Sequence, residues 1–137
     1  LGNREYVKMD KEVIKSFEDL EVYKKLCELH LSIHNLTLTF PKFELHELGS
    51  QLRRSSNSIP ANLAEGWNNK HINLYLEGIN RALGELRETA HHLTIAHKKN
   101  YLSENIFKEY IERYNECGRM LKGLEKSLEK HKNTTCP

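Results

Sequence analysis

The sequence predicts an all-α fold: an antiparallel, up-down-up-down four-helix bundle whose second helix is kinked near Pro60. Three observations predict it. Apolar residues recur at alternating spacings of four and three along three long segments, the repeat of a helical seam and not the period of two of a strand. Glycine and proline are scarce, seven and three in 137 residues, and Pro41, Gly49, Pro60 and Gly66 stand where helices would end or bend. The connections between segments are only a few residues long, which sets consecutive helices antiparallel.

The first segment carries Val22, Leu26, Leu29, Ile33, Leu36 and Phe40 at spacings of four, three, four, three and four. A second stripe, Leu20, Tyr23, Cys27, Leu31, His34 and Leu38, runs beside it, so the apolar surface is wider than one neighbouring helix covers. The second segment places Leu45, Leu48, Leu52, Ile59 and Leu63 on one face. Pro60 there removes a backbone donor and disfavours helical geometry at Ile59, which predicts a kink or short break near Ser58. The third segment repeats the seam with Ile72, Leu76, Ile79, Leu83, Leu86, Ala90 and Leu93, and reads as the longest helix. The fourth carries Phe107, Tyr110, Tyr114, Cys117, Leu121, Leu124 and Leu128, entered through Ser103 as N-cap after a turn at Asn100, Tyr101 and Leu102. Gly78 and Ala82 on the third helix, and Gly123 beside Met120 on the fourth, cost helix propensity. They therefore predict close approach of another backbone, within the bundle or between subunits.

A chain of this length holds one hydrophobic core. Residues 16–131 are assigned to the bundle, residues 1–15 to a flexible or expression-derived leader and residues 132–137 to a flexible tail. Apolar residues make up 38% and charged residues 29%, too polar for a membrane span and too apolar for wholesale disorder. No apolar signal region is legible, so the protein is expected in the cytoplasm. Cys27, Cys117 and Cys136 are widely spaced without a Cys-x-x-Cys pair, which argues for reduced thiols over a disulfide framework or zinc cluster.

Catalytic chemistry finds little support. No serine sits in a Gly-x-Ser-x-Gly turn and no glycine-rich phosphate loop follows a strand. Glu88 and His91 form one Glu-x-x-His pair, but a di-iron carboxylate bundle needs two such pairs and two further inward glutamates. His30 and His34, four apart, are two ligands of a metal site that wants more; packing or hydrogen bonding is the better reading of each. No enzyme activity, metal or cofactor is expected.

Net charge is only +2, unevenly distributed: residues 50–137 hold fourteen Lys or Arg against ten Asp or Glu. Arg53, Arg54, Lys70, Arg81, Arg87, Lys98 and Lys99 are the candidate nucleic-acid-binding residues, because planar guanidinium and ammonium groups suit phosphates. The competing reading has Arg53 and Arg54 lie along the bundle edge and pair with acids such as Glu65, Glu77 or Glu85, stitching the second helix to its neighbours. A further basic run, Arg119, Lys122, Lys126 and Lys130, follows helical spacing on the fourth helix and reads as a solvated face.

Phe17-Glu-Asp-Leu-Glu-Val-Tyr23, Leu52-Arg-Arg-Ser-Ser-Asn-Ser-Ile-Pro-Ala-Asn-Leu-Ala-Glu-Gly66 and Leu83-Gly-Glu-Leu-Arg-Glu88 resemble a bacterial family of four-helix bundles encoded in intervening sequences of 23S rRNA genes. The resemblance covers about residues 16–130. Related bundles are accessory variability proteins of diversity-generating retroelements, so it implies a homopentameric barrel that binds RNA or DNA and assists a reverse transcriptase. The second apolar stripe of helix one, with Gly78 and Ala82, is compatible with such an interface, whereas the modest charge is low for a dedicated nucleic-acid binder. The leading expectation is thus a non-enzymatic, homo-oligomeric nucleic-acid accessory protein making mainly phosphate contacts. The alternatives are a protein-docking adaptor with no nucleic-acid contact of its own and, more distantly, a metal-carboxylate enzyme.

Overall fold

The computed structural model describes residues 14–135, with side chains to Lys132. Among the described residues there are four α-helices: α1 (Glu21–Thr37), α2 (Leu48–Gly66), α3 (Ile72–Lys98) and α4 (Glu104–Thr135). Short 3-10 turns at Phe17–Asp19 and Lys42–Glu44 lead into α1 and α2, and no strand occurs among the described residues. The expected leader is almost wholly outside the described residues, although Ile14 is buried in the core. At the other end α4 continues to Thr135, beyond the boundary drawn at residue 131.

The seams fold inward as their spacing requires. Leu26, Leu29 and Ile33 of α1, Leu52, Ile59 and Leu63 of α2, Ile79 and Leu93 of α3, and Tyr114, Leu121 and Leu128 of α4 are all buried. α2 and α3 form the most intimate pair, α1 packs on α2 and α4 on α3, and α1 meets α4 to close the bundle. Phe40 packs on Tyr101 at one end, with ring centroids 5.1 Å apart, and Trp67 packs edge-on against Tyr75 near the start of α3. Ser103 caps α4 as expected, its hydroxyl accepting the Ile106 N–H at 3.3 Å. The preceding turn places Asn100 at φ 65°, while the Tyr101 N–H reaches back to the Ala96 carbonyl at 3.0 Å, the left-handed closure that asparagine tolerates.

Two expectations are corrected. α4, at 32 residues, is longer than α3, at 27, because helix-favouring charged residues carry it beyond its last core residue, Leu128. Of the kink or short break expected near Ser58, the break does not occur: α2 runs from Leu48 to Gly66 with Pro60 inside it. Ile59 and Pro60 are both buried. Nearby, the Ser58 hydroxyl donates to the Arg54 carbonyl at 2.9 Å and the Asn62 amide to the Ser58 carbonyl at 2.8 Å, so packing and side-chain bonds hold the helix where local propensity disfavours it.

Gly78 and Ala82, where a close approach is expected either within the bundle or between subunits, lie inside the bundle. Ala82 is fully buried, and Gly78 lies against α2. A Cβ on Gly78 would sit 2.8 Å from the Asn62 carbonyl oxygen and 3.1 Å from the Gly66 Cα; one on Gly66 would sit 3.2 Å from the Gly78 Cα. The two glycines face each other where α2 and α3 cross, so the close approach is internal. Gly123 is the opposite case, with nothing within 4 Å of an added Cβ.

Candidate nucleic-acid interface

The basic residues nominated from sequence divide by what surrounds them. Arg53 is half-buried and directed to the end of α1, donating to the Thr37 hydroxyl at 2.8 Å and the Leu45 carbonyl at 2.6 Å. It ties α2 to the α1–α2 connection without any carboxylate. Arg54 reaches across to α3, pairing with Glu85 at 3.5 Å and with Glu88, and Glu88 also meets His92 Nε2 at 3.2 Å. Burial opposes ionisation of Glu88, but hydrogen bonds from His92 and Arg54 and the Arg54 charge win and hold its carboxyl below the usual range. Pairing with Glu85 was anticipated; the Glu88–His92 extension was not.

Arg81 pairs with Glu77 on its own helix at 2.6 Å. Lys99 is tied to Glu44, a carboxylate with no exposed surface, at 2.9 Å. The Tyr101 hydroxyl donates to the same oxygen of Glu44 at 2.7 Å and the Leu48 N–H to the other at 3.3 Å. Hydrogen bonds from Lys99 and then Tyr101 hold the Glu44 carboxyl below its ordinary range, against its burial, and raise Lys99 in turn. This node joins the turn before α2 to the turn after α3. Nothing in the sequence joins these residues, because Glu44 lies 55 positions before Lys99.

Lys70, Arg87 and Lys98 complete the set. All three are exposed, and none makes a hydrogen bond or ion pair with a described residue. Arg87 and Lys98 stand eleven residues apart on the outer side of α3, about 16 Å along the axis. The α4 run set aside from sequence behaves likewise: Arg119, Lys122, Lys126 and Lys130 are all exposed and without an ion pair to any described residue.

The remaining candidates have structural surroundings. His30 Nδ1 lies 2.8 Å from the Ser56 hydroxyl, and burial, then the neighbouring His34, lower its pKa. His34 and His91 are exposed, and among the described residues no three His, Cys, Asp or Glu side chains converge as metal ligands. The Ser55 and Thr89 hydroxyls, both fully buried, are 2.8 Å apart and add a polar clasp between α2 and α3.

Among the described residues no helix is long and apolar enough to cross a membrane. None of the curated proteins compared with the chain matches it. A family model described as 23S rRNA-intervening sequence protein matches residues 18–123. That interval takes in most of the chain, including α1, α2, α3 and their connections. The chain belongs to the family of 23S rRNA-intervening sequence proteins.

Proposed function

We propose that this chain is a non-enzymatic accessory protein of the cytoplasm that associates with RNA, or an RNA and DNA intermediate, mainly through phosphates. The observation that carries the reading is the outer side of α3, where Arg87 and Lys98 stand exposed without an internal ion pair, and the family's description makes RNA the first nucleic acid to test. Cations committed to internal carboxylates, such as Lys99, are less available to phosphates, which focuses the reading on those that are not. Binding of this kind is electrostatic, falls steeply with salt and discriminates little between sequences.

The test is titration of a structured RNA at about 50 and 200 mM salt with the native protein and with Arg87→Gln, Lys98→Gln. Loss of about one unit of salt slope per removed contact is expected. Binding that ignores salt would overturn the reading.

A second reading rests on a different observation. Leu31 on α1 and Leu38 at its C-terminal cap are 63% and 59% exposed, and Phe43 on the α1–α2 connection is 67% exposed. Such side chains favour a docking face. In this reading α1 mediates self-association into the homopentameric barrel implied by the resemblance, or docks a protein such as a reverse transcriptase. The end-to-end contacts of Phe40 with Tyr101 and of Trp67 with Tyr75 support an up-down-up-down helix order, and Pro60 supports a bend in α2. Light scattering on Leu31→Glu, Leu38→Glu tests the interface: an oligomer that becomes a folded monomer supports it, and unchanged mass defeats it.

A further inference from the structure

The C-terminal half of α4 combines two features that internal packing leaves unexplained. Arg119, Lys122, Lys126 and Lys130 recur at three, four and four residues, which lines them along one side of the helix over about 16 Å. Each is exposed and has no ion pair with a described residue, unlike Arg54, Arg81 and Lys99. Within this line sits Gly123, exposed in mid-helix with nothing within 4 Å of an added Cβ. Gly66 and Gly78 are accounted for by the α2–α3 crossing, whereas among the described residues no neighbour accounts for Gly123. It lines an open depression of about 560 Å³ together with Arg119, Lys122, Lys126, Glu125 and Glu129.

We infer that this notch is a contact surface for the sugar-phosphate backbone of an RNA helix, a step that rests on the RNA reading above and places a second contact line on α4. The missing side chain lets a backbone come close to the helix, and the three surrounding cations supply the charge complementarity. Glu125 and Glu129 share the lining, so the three cations leave it a net positive charge. An anionic backbone is favoured over an apolar partner because the lining offers charged heads around bare backbone. Contacts of this type position a nucleic acid without reading its bases.

The experiment uses the full chain and an RNA hairpin with a fully paired stem, followed by fluorescence anisotropy at several salt concentrations. Two variants separate charge from shape. Lys122→Gln, Lys126→Gln is expected to weaken binding about tenfold at low salt and to flatten the salt dependence by about one unit for each lysine. Gly123→Ala leaves the charge unchanged and adds one methyl group to an open helix face; it is expected to raise the unfolding temperature while weakening RNA binding several-fold. A merely solvated face would show the rise in stability without the loss of binding.

Native affinity in Gly123→Ala and in the lysine variant, with binding lost in Arg87→Gln, Lys98→Gln, overturns the α4 surface and leaves the RNA reading standing. No salt-sensitive binding by the native protein overturns that reading and the notch with it. Polyglutamate bound as tightly as the hairpin, and lost in the same variants, would replace the RNA backbone with an acidic protein segment.

Discussion

Replacing Gly78 with alanine tests the account of how α2 and α3 meet. The added methyl would lie 2.8 Å from the Asn62 carbonyl oxygen and 3.1 Å from the Gly66 Cα. Both obstacles are backbone, so no rotamer change relieves them and the two helices must separate. Overpacking in a well-packed interior costs about 1–3 kcal/mol, and a backbone obstacle places the cost near the upper end. Alanine recovers about 1 kcal/mol of helix propensity over glycine. The net expectation is a destabilisation of about 2 kcal/mol, or a fall of roughly 6–10 °C in Tm for a chain of this size. Urea unfolding at one fixed protein concentration is the appropriate assay, because self-association would move the midpoint with concentration. Gly123→Ala is the internal control: with open space at the Cβ position, it should gain about 1 kcal/mol. Equal stabilisation by both substitutions would refute the close crossing.

Glu44→Gln should cost about 1–3 kcal/mol at neutral pH by impairing the buried acceptor for Lys99 and Tyr101. Because the folded carboxyl titrates below its ordinary range, the native advantage is full above the unfolded glutamate pKa of about 4.3 and is lost as pH falls through the depressed folded value. Denaturation from pH 7 to 3 checks this: a gap between native and variant that does not narrow below about pH 4 contradicts the assignment. Tyr114→Phe should stabilise the fold by about 1 kcal/mol, since the Tyr114 hydroxyl is buried with no hydrogen-bond partner among the described residues; a clear loss in thermal unfolding would mean that the hydroxyl is bonded. Cys117 is almost wholly buried, and burial, reinforced by Glu116, pushes its thiol up to about 11. Iodoacetamide should therefore leave Cys117 unmodified in the native protein and label it on unfolding, as peptide mass mapping will report.

The helical seams were legible because a buried stripe must repeat close to the helical period, and Leu26, Leu29 and Ile33, or Tyr114, Cys117 and Leu121, obey that repeat. The path through Pro60 was not, because the local penalty is printed in the sequence while the burial of Ile59 and Pro60 depends on residues far along the chain. Gly78 announced a close approach but not its partner; Gly66 lies twelve positions earlier, and only the crossing of α2 and α3 joins them. The candidate interface was less legible for the same reason. A sequence lists cations without their partners, and nothing local says that Arg53 ends on Thr37 and Leu45 or that Lys99 finds the buried Glu44.

The stretch from Leu52 to Gly66 carries the family resemblance most strongly, and its side chains are largely occupied with folding. Leu52, Ile59 and Leu63 fill the core, Arg53 and Arg54 reach α1 and its connection and α3, Ser55 meets Thr89 and Ser56 meets His30, and Gly66 admits α3. A segment so engaged identifies the architecture, and substitutions in it change stability before they change any contact with a partner. Differences in binding should instead follow the outward residues that the fold leaves free, Arg87 and Lys98 on α3 and the line from Arg119 to Lys130 on α4. The two groups separate experimentally: Arg54→Ala should act through the α2–α3 clasp and alter unfolding by at most about 1 kcal/mol, as an exposed ion pair allows, whereas Lys122→Gln should leave unfolding unchanged and act on RNA affinity and its salt dependence. Loss of salt-sensitive RNA binding in a fully folded Arg54→Ala, with Lys122→Gln unaffected, would invert that division and return the interface to α2.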